Sequence, residues 1–246
     1  MNPLIIGMLG LGAHQAGTAV LANDVTRDTP HPISSGKALP ALKEAYNTLA
    51  TKKGVTDEGR PRYLPAKAAL HSPRIENATD EQQALFENMR LGNLIDKDAR
   101  TIDEVVVFNP NGDRAILAHE MGHSLGSKTK IGGAARRAQT YLARNPKLAM
   151  AIGLSSYIAA GVAPALIPGD DDALVSAGIM AVAQSPQLID EFNASREGLA
   201  LLKQADMRAT LPQRAKLAGS YMTYAAQPLF QGAIAAAIGN NFDEAV

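Results

Sequence analysis

The chain has 246 residues, enough for one large domain or for a domain plus membrane helices, and its 24 basic and 24 acidic side chains cancel. Without a basic excess there is no sign of a nucleic-acid surface, so no nucleic-acid partner is expected. Cysteine is absent, which excludes disulfides and thiolate metal sites and leaves histidine and carboxylate as the metal ligands.

Neutral average hydropathy conceals a segregation. Residues 24–147 are polar and charged, whereas four other stretches are nearly charge-free and rich in Ala, Gly, Ile, Leu and Met. The first of these, residues 3–22, is about long enough to cross a bilayer. It reads as an uncleaved N-terminal anchor (residues 1–23). A cleaved signal peptide is the alternative, although no basic residue precedes the apolar part. His14 reads as a polar residue within a helix bundle.

Pro30, Pro32, Ser34, Ser35 and Gly36 read as a loop. Leu39, Leu42, Tyr46 and Leu49 have helical spacing and predict a helix over 38–52. Residues 61–75, with three prolines, read as irregular, and 79–97 as a helix. His31 and His71 read as solvated loop histidines. Val105-Val106-Val107-Phe108 is a β-branched and aromatic run ended by Asn109-Pro110-Asn111-Gly112, hence a strand and a turn. Such a strand can pair with an extended peptide substrate or serve as an ordinary core strand.

Next comes His119-Glu120-Met121-Gly122-His123. Two histidines four apart share one helix face, so both imidazoles can reach one metal ion. Glu120, beside His119, is placed to hold a metal-bound water and take its proton. Asp113 suits the N-cap of this helix, Gly126 its loosening end, and Gly122 leaves room near the metal.

Residues 132–147 read as a helix carrying Arg136, Arg137, Arg144 and Lys147. Two apolar legs follow, 148–168 and 173–183, around an acidic turn at Asp170, Asp171 and Asp172. They read as an apolar hairpin, residues 148–186, with a short return leg. Basic residues favour the cytoplasmic side, so the metal-binding helix is expected inside and the acidic tip outside. Ser185-Pro186 reads as an N-cap with proline at the first helical position, opening a helix to Arg208. On it Glu191, Ala194, Ser195 and Gly198 share a face. Glu191 is the expected third metal ligand, with Ser195 as an outer hydrogen-bond partner and Asp190 and Glu197 as competing carboxylates. The last apolar stretch, 217–239, follows Arg214 and Lys216 and contains Pro228, where a kink is expected. It completes a C-terminal part, residues 187–246.

Taken together, the motif helix, the charge-poor hairpin and Glu191-Phe192-Asn193-Ala194-Ser195-Arg196 resemble the membrane-associated neutral zinc metallopeptidases of bacteria. That family shows His-Glu-x-x-His, apolar segments, then Glu-x-x-Ala-Ser-x-x-Ala/Gly-Leu. The stretch from Lys216 to Ala226 looks like the Thr-Tyr-containing segment that closes it. More distantly the layout is similar to the heat-shock membrane metallopeptidases and the CAAX prenyl proteases, which carry Asp where this chain has Ser195. Asn193 stands where the closer family usually has Asp, and the first hundred residues match only loosely.

The resemblance implies a gluzincin: zinc on His119, His123 and Glu191, with Glu120 as general base. The expected fold is mainly α, a zincin-like metallopeptidase core with a small strand element and several membrane-spanning or membrane-inserted helices. The expected function is zinc-dependent endopeptidase, with a peptide or protein substrate, membrane lipid as surroundings, and a bacterial inner membrane with the active site facing the cytoplasm. Tyr221, Tyr224 and Arg208 are candidates for stabilising the oxyanion. The rival from another class is a non-catalytic membrane scaffold or pore in which the histidines are structural.

Overall fold

The computed structural model describes residues 27, 29–55, 60–69, 72–75, 105–166 and 172–243. The expected N-terminal anchor with His14, the 79–97 helix, His71 and most of the acidic turn lie outside the described residues. The described chain is mainly helical. It runs α1 (Ser35–Lys52), β1 (Arg62–Ala69), β2 (Ser72–Ile75), β3 (Val105–Phe108), α2 (Arg114–Ser127), α3 (Lys130–Arg144), α4 (Pro146–Leu166), α5 (Asp172–Ala183), α6 (Ser185–Gln204) and α7 (Leu211–Asp243). Among the described residues it divides into two units, one of 130–192 and 218–243, the other reaching to 129 and resuming over 193–217.

In the second unit, α1 starts three residues earlier than its apolar spacing predicts, so Ser35 and Gly36 are helical rather than loop. The reason lies in the turn after β3. The Ser35 N–H donates to the Gly112 carbonyl (2.8 Å) and the Gly36 N–H to the Pro110 carbonyl (2.9 Å). These bonds satisfy donors that every helix start leaves over. A side chain at Gly36 would bring its Cβ to 3.1 Å from the Pro110 carbonyl, so glycine suits this approach.

The stretch 61–75 is not irregular: it holds two strands of a sheet ordered β2-β1-β3. Proline has no N–H to give a ladder, so it is tolerated in strands only at edges, ends and changes of pairing. Arg62 to Pro65 pair in parallel with β3, and Ala66 to Ala69 pair antiparallel with Ser72 to Ile75 of β2, so Pro65 sits at the changeover. Pro73 lies on an edge strand, facing Ala68. The predicted strand Val105–Phe108 and its turn are present, with Val106 and Phe108 buried and the Asn109 side chain accepting from the Asn111 N–H.

The core of this unit gathers Leu42 and Tyr46 of α1, Leu117, Met121 and Leu125 of α2, and Leu201 and Leu202 of α6. Each such side chain fully removed from water contributes about 1.5–3 kcal/mol before chain entropy is counted. The helix α6 ends at Gln204 rather than Arg208. Asp206 takes a left-handed conformation (φ 54°), and the Met207 N–H turns back to the Leu202 carbonyl at 2.7 Å. Ser185 is already helical, so Pro186 falls one position further into the first turn.

In the other unit, α4 and α5 pack as the predicted hairpin, and the Ser176 hydroxyl donates to the Ala160 carbonyl at 2.6 Å. Gly232 of α7 comes so close to the backbone of Ala177 that no Cβ would fit. Among the described residues one helix is long and apolar enough to cross a membrane, over Pro146–Ala163. The return helix α5 has 12 residues and is shorter than a span.

Candidate metal centre

The helix α2 begins where Asp113 caps it, its side chain accepting from the Ala115 N–H at 3.0 Å. Asp113 does more than the sequence suggested. Its carboxylate also accepts from Gln213 Nε2 and from Lys216 Nζ, each at 2.8 Å, so both oxygens are bonded to the start of α7. His31 Nε2 lies 3.6 Å away, which makes His31 a half-buried neighbour rather than a solvated residue. Burial would raise the Asp113 carboxyl, but the Lys216, Ala115 and Gln213 hydrogen bonds outweigh it and hold it below the ordinary carboxylate value. Partners about a hundred positions apart leave no local signal, and only an N-cap preference was readable at Asp113.

Six and ten residues further on, α2 carries His119 and His123, their rings 4.9 Å apart and nearly perpendicular. His119 is buried and His123 half-buried. Glu191 of α6 is also buried, and one ligand atom from each of the three lies within 4.8 Å of the others. The expected set thus comes together. Its cause is a close crossing of α2 with α6. A Cβ at Gly122 would strike the Ala194 carbonyl, and one at Gly198 would lie 2.9 Å from the Ala118 carbonyl. Gly122 is therefore a helix-contact residue, not a source of room for a metal. Gly126 belongs to the same contact, against Asn193, and lies in the last turn of α2, which ends one residue later as the sequence led one to expect. Ala118 and Gly122 on α2, and Ala194 and Gly198 on α6, are spaced by four, a pattern of small residues that marks close helix approach. Glu191 is on the same helix, one turn before Ala194.

Ser195 Oγ lies 3.2 Å from His119 Nδ1, as expected of an outer partner. With Nδ1 donating to Ser195, Nε2 is the His119 atom left to bind a metal. The competing carboxylates are engaged elsewhere. Asp190 accepts from Arg136 Nη1 of α3 at 3.2 Å. Glu197 accepts from Lys53 at 3.1 Å and from Arg196 at 2.9 Å. On the far side of α2 the Tyr46 hydroxyl and Ser124 Oγ are 2.6 Å apart and buried, a support for the residue after His123 that the sequence did not reveal. Glu120 is half-exposed.

The oxyanion candidates are less closely drawn in. Tyr221 meets Phe192 edge to face at 6.2 Å between ring centres, and Tyr224 is half-buried on the same helix. Arg208 is exposed, and its carbonyl accepts from Arg114 at 3.3 Å.

Two imidazoles and one carboxylate form the donor set of catalytic zinc sites. Bonds of about 2.1 Å in a tetrahedron hold ligand atoms roughly 3.4 Å apart. No protein-family model matches the chain, and neither a curated protein nor a solved structure does.

Proposed function

We propose that the protein is a zinc-dependent endopeptidase held in a membrane, with zinc on His119, His123 and Glu191 and Glu120 as general base. The observation that carries this reading is the convergence of those three ligands from α2 and α6, with Ser195 behind His119. A bound zinc ion supplies Lewis acidity toward a peptide carbonyl and makes water nucleophilic near neutral pH. Glu120 accepts the proton of the attacking water and returns it to the leaving amine. Ser195 holds the His119 ring in the tautomer that presents Nε2. The sheet edge at β3, which leads directly into α2, offers backbone groups for an extended peptide.

The membrane part of the proposal is supported by α4. Its apolar window is only 6% buried within the protein, whereas the core helix of a soluble protein would be covered. Leu154, Ile158 and Val162 face outward. The basic residues before α4 support a start on the cytoplasmic side of a bacterial inner membrane, by the charge rule.

Glu120→Ala tests the catalytic reading. The variant is expected to keep its zinc and to lose roughly 10²–10⁴-fold in peptide cleavage, the usual worth of a general base. Cleavage at the parent rate would instead favour a scaffold with structural histidines.

A further inference from the structure

The helix α3 presents two faces. Gly132, Gly133 and Ala135 are buried, and Arg136 turns to Asp190. On the other side Lys130, Ala134, Arg137 and Tyr141 are exposed. Steps of four, three and four residues put these on one stripe. Ile131 and Tyr141, 68% and 59% exposed, add apolar surface to it. From Lys130 to Lys147 the chain carries five basic residues and no acidic one. The exposed run continues into α4 through Lys147, Leu148 and Met150.

A free anion or a nucleic-acid backbone would use the charges and leave Ile131 and Tyr141 in water. An anionic bilayer surface uses both. Headgroup phosphates meet Lys and Arg, while tyrosine and an aliphatic side chain settle at the boundary with the acyl chains. The order along the chain has the same sense: charge first, then the outward apolar side chains of α4.

We propose that the exposed face of α3, formed by Lys130, Ile131, Arg137 and Tyr141 and extended by Lys147, is a binding surface for anionic lipid headgroups. This rests on the membrane part of the proposed function and is independent of the peptidase chemistry. The surface anchors α3 flat at the headgroup level and makes membrane association depend on lipid charge.

The chain has no cysteine, so Ala134→Cys provides a single thiol for an environment-sensitive dye. The labelled protein is reconstituted in phosphatidylcholine vesicles containing increasing phosphatidylglycerol. The dye is expected to shift to the blue and to lose access to an aqueous quencher as the anionic lipid rises, and salt should reverse this. Arg137→Gln and Lys147→Gln should each weaken the response by about five-fold, while Arg137→Lys should retain it. A response independent of phosphatidylglycerol, or unchanged in the Gln variants, would overturn the proposal. So would an equal response to inorganic phosphate or a short RNA without lipid. An alkaline wash separates the two claims. A chain stripped from the vesicles that still shows the lipid-charge response loses its membrane span and keeps this surface. A chain retained without the response does the reverse.

Discussion

Ser195 beside His119 and Asp113 at the start of α2 each give a distinct expectation. Ser195 Oγ lies beside His119 Nδ1, so with zinc bound as proposed Ser195→Ala should weaken zinc binding by about 10–100-fold. A zinc titration against a competing chelator measures this, and an unchanged affinity would remove Ser195 from the site. Asp113 stabilises through a carboxylate held below its ordinary value. The unfolded chain therefore takes up this proton first. The contribution is complete above about pH 4 and is lost as pH falls through the lower folded-state value. Asp113→Asn should cost about 2 kcal/mol at neutral pH, because Lys216 loses its anionic partner. Melting curves of parent and variant should converge on acidification. A constant gap down to about pH 3 would place the effect elsewhere.

At the scale of elements, what could be read from the sequence was whatever depends on near neighbours. The period of Leu39, Leu42, Tyr46 and Leu49, the β-branched run at Val105, and Asp113 before the motif each encode a local preference, and α1, β3 and α2 appear where these place them. The strands around Pro65 and Pro73 were hidden, because their prolines are tolerated only by the pairing pattern. Of the site, His119, His123, Glu191 and Ser195 could be named. The reason they meet, a crossing through Gly122, Ala194 and Gly198, is a contact between segments some seventy residues apart. Gly122→Ala should therefore destabilise by about 1–3 kcal/mol as α6 is pushed away, and should lower zinc affinity along with stability. Denaturant unfolding with and without zinc checks both effects. A variant of parental stability and affinity would mean that the helices do not approach this closely in solution.

For the whole molecule, one unit carries the two histidines and the other includes helices with an apolar exterior. The central claim is that Glu191, and not one of its acidic neighbours, completes a metal centre with the two histidines. Bound zinc per chain, measured after dialysis against a weak chelator, tests it most directly. The account predicts one zinc in the parent, almost none in Glu191→Ala, and one in both Asp190→Ala and Glu197→Ala. Those last two carboxylates are tied to Arg136 and to Lys53 with Arg196. Full zinc in Glu191→Ala with loss in either neighbour, or no zinc in the folded parent, would contradict it.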